Sequence, residues 1–312
     1  MTTLFRRTLA LLFVLALAAC EGPTGPEGPA GSQGAAGPQG PTGPAGPPGS
    51  NGINWPGPVP PEFTAADGIQ GGAAYAKWWT TDGGGSGTQP PTAVSADFYR
   101  CKACHAWDGL GNAASYANRT GQSTLKASRP DVSSVNLRST IASSTYQELY
   151  DLVAHTGARA LDAADNAHPD FSQVMSQDQI WNMVKFMFEE WVAPSELYDI
   201  EVMGPQMYVD YTQVPPAVVA PTITYSNIGA KGTASVGKTI YAQTCSVCHG
   251  PDGTGIDIGG RTLGQFFREK PNEAWFKAKF GEAGHMLPGL VTDLQDLQDL
   301  YAALVVVADF PN

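Results

Sequence analysis

Cys245-Ser-Val-Cys248-His249, in the second half of the chain, repeats the pattern of Cys101-Lys-Ala-Cys104-His105 in the first. Two thiols at i and i+3 with an imidazole at i+4 share one face of a helical turn. That grouping is the attachment pattern of a c-type haem: Cys101 and Cys104 fix one macrocycle through its vinyl groups, Cys245 and Cys248 a second, and His105 and His249 reach the irons as proximal ligands. Two alternatives fit less well. A zinc site needs a second ligand pair at short spacing, and a redox dithiol wants a strand before it, whereas both motifs here end a helical stretch and carry histidine directly behind.

The chain has five cysteines, so only Cys20 is left over. Arg6 and Arg7 precede an apolar run from Leu9 to Ala19, too short to cross a bilayer and suited to a secretory signal. The ending Leu17-Ala18-Ala19-Cys20 resembles a bacterial lipobox, which implies cleavage after residue 19 and lipidation of Cys20. Glu21 behind it resembles lipoproteins sorted to the outer membrane. With every thiol assigned, an exported chain of this kind has no structural disulfide to form.

Directly behind Cys20, glycine recurs at every third position from Gly22 to Gly52, with Pro, Thr, Glu, Ala, Ser, Gln and Asn between and no large apolar residue. Such a segment cannot build a core and is expected as an extended collagen-like stalk of about 90 Å at a rise near 3 Å per residue. Three chains could wind into a homotrimer through it; one alone is a polyproline-like spacer. A stretch this short, without hydroxyproline, favours the single chain once freed from a membrane. Removal of Arg6 and Arg7 with the signal takes the net charge from −11 to −13, an unsuitable surface for nucleic acid.

The expected organisation is therefore a signal over 1–19, a lipidated N-terminus and stalk over 20–54, a first haem domain over 55–200, a linker rich in Pro, Val and Tyr over 201–230, and a second haem domain over 231–312. The fold class is mainly α, nearly all helical outside the stalk. Ser176-Gln-Asp-Gln179 and Thr145-Tyr-Gln-Glu148 read as capping boxes, and Thr292-Asp-Leu-Gln295 as a third. Helical spacing follows each of them, as in Ile180, Met183, Val184 and Met187, or Leu294, Leu297, Leu300, Tyr301 and Leu304. Met175 is placed to staple against Ile180, and Gly157 to stop the helix begun at Thr145.

The order helix, Cys-x-x-Cys-His, loop and closing helix resembles two class I cytochrome c domains in tandem, and the stretch from about Ile69 to Ala308 resembles bacterial di-haem c-type cytochromes. The residues that carry this are the Tyr75 to Trp79 cluster, Cys101 to Asp108, "HPDFSQVMSQDQIWNMVKF", "CSVCHGPDGTG" and "FGEAGHMLPGL". The resemblance implies single-electron transfer through two covalently held haems, with redox proteins or an extracellular acceptor as partners. It also guides the distal ligands: Met286 lies where class I domains place a Met near a Pro, with His285 its neighbour and rival. His168 fills the corresponding slot of the first half, with His155, at the end of its helix, as the alternative. A lipid-anchored carrier at the outer membrane or cell surface, facing periplasm or exterior, is the leading expectation. A di-haem peroxidase, or a collagen-stalked oligomer whose haem heads form a conducting assembly, are the alternatives.

Overall fold

The computed structural model describes residues 59–88, 100–111, 135–156, 168, 170–204, 208–210, 214, 217–282 and 284–312. The expected signal, Cys20, the stalk and Gly157 lie outside the described residues. Ile53–Asn312 forms one compact unit, and about half of its described residues are helical.

Helix α1 (Pro61–Ala65) leads into α2 (Gly68–Lys77), whose first N–H groups are capped by Asp67. The first motif is itself a short helix, α3 (Cys101–His105), followed by α4 (Leu137–Ala142) and α5 (Tyr146–Ala154). Helix α6 (Gln177–Lys185) continues into a π-helical turn at Phe186–Glu190. The capping boxes at Thr145 and Ser176 are both formed, each with its two reciprocal hydrogen bonds. Met175 and Ile180 are both buried.

Two expectations need correction. The protein is not nearly all helical outside the stalk, because the region between the halves carries strands. Strand β1 (Asp199–Met203) pairs antiparallel with β4 (Thr222–Ser226), and β2 (Tyr208–Asp210) with β3 (Ala217–Val219). The registers are nested, with Asp199 opposite Ser226 and Tyr208 opposite Val219. Alternating exposure along β1 and β4 lets Ile200 and Tyr225 pack on the core while their neighbours face water.

The second half runs α7 (Ala234–Thr244), α8 (Ser246–His249), α9 (Leu263–Glu269), α10 (Pro271–Phe280) and α11 (Leu294–Leu304). Helix α11 does not start with a Thr292 box. Asp293 is its N-cap, its carboxylate accepting from Gln295 N and Asp296 N, because an aspartate one residue later serves two orphan donors.

A continuous core joins the halves. Its seam is aromatic, with ring centroids of Phe276 at 4.9 Å from Trp107 and 5.7 Å from Tyr75, and Phe280 at 5.1 Å from Phe186. Gly72 on α2 makes room for this: a Cβ there would lie 2.2 Å from a ring carbon of Phe280. Lys279, 7% exposed, reaches Glu190 of the first half at 2.9 Å.

Candidate functional site

Each Cys-x-x-Cys-His turn is gripped by the same set of contacts. Tyr75 on α2 donates from its hydroxyl to the carbonyl of Ala106, the residue after His105, at 2.6 Å. Tyr241 on α7 donates to the carbonyl of Gly250, the residue after His249, at 2.5 Å. The backbone reverses at both acceptors, with φ of 60° at Ala106 and 78° at Gly250. The carbonyl of His105 then accepts from Gly111 N at 3.1 Å, and that of His249 from Gly255 N at 2.8 Å. Gly109 O accepts from Leu137 N, and Gly253 O from Leu263 N, both at 2.9 Å, so the motif turn is tied to the start of the next helix in each half.

The helix pair behind each motif is fixed alike. Gly71 sits where a Cβ would fall 1.9 Å from Asn182 O on α6, and Gly237 where it would fall 1.8 Å from Asp299 O on α11. Asp67 N donates to Asn182 Oδ1 at 2.7 Å, and Thr233 N to Asp299 Oδ1 at 2.6 Å. The crossing glycines and the clamping tyrosines were missed in the sequence reading of site residues. Their signal is present, however, as Gly71-x-x-x-Tyr75-Ala76 against Gly237-x-x-x-Tyr241-Ala242.

The electrostatics suit both groups to a haem. Burial pushes the Cys101 thiol up to about 12, reinforced by Cys104, and the Cys245 thiol up to about 11, reinforced by Cys248. These are the residues that would hold a haem through its vinyl groups as thioethers. Thiolate chemistry is disfavoured by the same burial. Burial also pushes His105 down to about 4 and lowers His249, which keeps each imidazole neutral with a lone pair for a metal. The Nδ1 atoms of both are enclosed without a hydrogen-bond partner. None of the four motif cysteines is in a disulfide. No cluster of three His, Cys, Asp or Glu fit to hold a bare metal ion occurs among the described residues. Two thiols on one helical turn with a neutral imidazole beside them fit a covalently held macrocycle in each half.

The first motif is the more deeply set. Asp108, 3% exposed, accepts from Leu110 N at 3.0 Å beside it, and Lys102 lies 4.1 Å over the Trp107 ring. Next to it a cleft between α2, α3 and α10 is lined by Lys77, Arg100, Trp107, Lys277 and Glu282. In the second half Cys248 is exposed, as are Val247 and Leu287.

Among the expected distal ligands, His168 and His155 are brought together, their rings 5.6 Å apart. Met286 is half-buried in a tight loop closed by Glu282 N to Met286 O at 2.9 Å and Met286 N to Glu282 O at 2.8 Å, while His285 is exposed. Among the described residues no helix is long and apolar enough to cross a membrane.

No curated protein and no solved structure matches the chain. Residues 234–298 match the family model described as Cytochrome c. This part of the chain, from α7 into α11, is therefore similar to a cytochrome c domain, which supports a c-type cytochrome with covalently bound haem c and a role in electron transfer.

Proposed function

We propose that the chain is a di-haem c-type cytochrome that carries single electrons, held at a membrane surface by lipid on Cys20 and spaced from it by the Gly-X-Y stalk. The observation that carries the second haem is the recurrence around Cys101–His105 of the frame found around Cys245–His249: the tyrosine clamp, the reversed residue behind the histidine, the two backbone ties and the glycine crossing. A frame that serves a haem in the cytochrome c domain serves the same purpose in its counterpart.

Bound haem c supplies a one-electron iron couple. The chain's part is to bind and position it. The four cysteines hold the macrocycles, and neutral His105 and His249 supply the proximal nitrogens. His168 takes the distal side of the first and Met286 that of the second. Methionine ligation raises the potential, so electrons settle in the second half. The rings of Trp107, Phe276 and Tyr75 pack the residues beside the first motif against α10 of the second half. Redox proteins or an extracellular acceptor are the partners that such a carrier serves.

A redox titration followed by optical and EPR spectra tests the reading. Two low-spin irons are expected, one with two histidines and the lower potential, the other with a Met-to-iron charge-transfer band. His168→Met should raise the lower potential and add a second such band. A five-coordinate iron that turns over hydrogen peroxide would replace the carrier by a peroxidase.

A further inference from the structure

The short helix α5 ends at a residue that its backbone does not favour. His155 is the C-cap in the left-handed region, φ 52° and ψ 43°. Of the other helices that end on a positive φ, α8 and α10 do so on Gly250 and Gly281, at φ 78° and 71°, and α3 on Ala106 at φ 60°, all three with an extended ψ rather than the αL value of His155. Left-handed backbone favours glycine and, among side-chain residues, tolerates asparagine best. His155 brings an imidazole ring to this position. That ring has its Nε2 enclosed and without a hydrogen-bond partner, and it stands 5.6 Å from the ring of His168 at an interplanar angle of 45°. At this separation a small rotation brings ring nitrogens to the roughly 3 Å of a hydrogen bond.

The geometry points to His155 as a positioning residue for the first haem, its Nε2 accepting a hydrogen bond from Nδ1–H of His168. The inference rests on His168 as distal ligand. A histidine that gives Nε2 to a metal carries its proton on Nδ1, and an acceptor for that proton fixes the tautomer, sets the ring plane and makes the ligand more basic. A more basic ligand favours the oxidised iron, so the contact lowers the potential of this haem. To accept at Nε2, His155 carries its own proton on Nδ1. His155 is then not itself the ligand of the first haem but acts through its neighbour.

Two variants of the full haem-loaded protein test this, read by redox potential, EPR g values and thermal midpoint. His155→Gly removes the acceptor and relieves the backbone, so the thermal midpoint should hold or rise while the lower potential moves up and the g values of that iron shift. His155→Gln returns an acceptor oxygen at the reach of Nε2 and should bring potential and g values back towards wild type at a lower thermal midpoint. Unchanged potential and g values in His155→Gly would overturn the inference, and so would loss of the low-spin signal in that variant, which would make His155 the ligand. His168→Ala separates the two levels of the argument: a first haem that stays low-spin there removes the assignment of His168 itself, whatever the His155 variants do.

Discussion

Around His249 the chain passes from the clamping Tyr241 to its acceptor in nine residues, whereas around His105 it takes thirty-one residues from Tyr75 to Ala106. The hydrogen bonds at the ends of these two excursions are nonetheless the same. What is kept is the frame that holds the histidine turn; what varies is the loop between its parts. The surroundings differ too. The second motif stands near the surface, with Val247 and Cys248 exposed. The first is half-buried, with aromatic rings from both halves beside it, Trp191 against Gly109 and Phe276 against Trp107. The first half thus borrows part of its core from the second.

The comparison can be broken or sharpened by substitution, and the largest effects belong to the helix crossings. Gly71→Ala and Gly237→Ala each press a methyl into a backbone carbonyl that cannot move without separating two helices, and each should cost about 3 kcal/mol or more in thermal or denaturant unfolding. A large loss at one and none at the other would mean that the two crossings are not equivalent. Next comes the ion pair across the seam. Lys279→Ala leaves Glu190 facing a buried face without its cation, and should cost about 2 kcal/mol, below the full figure for a buried pair because Glu190 keeps contact with water. A Lys279→Met, Glu190→Gln double variant should recover most of that loss.

The clamps are predicted to differ in degree. Both tyrosines are buried, but the acceptor of Tyr75, Ala106, is buried as well, whereas the acceptor of Tyr241, Gly250, is half-buried. Tyr75→Phe should therefore cost about 2 kcal/mol and Tyr241→Phe about 1 kcal/mol, because a stranded carbonyl is dearer away from water. The smallest effect has the opposite sign. Ala106 occupies φ 60° and ψ −174°, a region natural only to glycine, where the second half has Gly250. Ala106→Gly should stabilise the protein by about 1 kcal/mol, measured as a raised midpoint with unchanged haem spectra. A lowered midpoint would mean that the buried methyl outweighs the backbone.

Much of the site was legible because its signals are local. Cys-x-x-Cys-His is a single turn, and the boxes at Thr145 and Ser176 are satisfied within their own first turns. The buried faces through Ile180, Met183 and Val184, and through Leu297, Leu300, Tyr301 and Leu304, follow helical period. Helix α10 was illegible for the opposite reason. Caught between the halves, it buries Asn272, Lys279 and six apolar neighbours around its whole circumference, so no stripe marks it. The strands between the halves were hidden because they are short, interrupted by Gly and Pro, and paired only with one another. The left-handed backbone at His155 follows from packing that no local pattern announces. The stalk and Cys20 stand as expectations from composition and spacing alone.

The claim that two equivalent frames hold two haems is tested most directly by the intact mass of the denatured, acid-treated protein with its haem absorbance. The account predicts the mass of the chain plus two haems, falling to one haem in either the Cys101→Ser, Cys104→Ser variant or the Cys245→Ser, Cys248→Ser variant. A mass with one haem, bound at Cys245 and Cys248 while Cys101 and Cys104 remain open to alkylation, would contradict it.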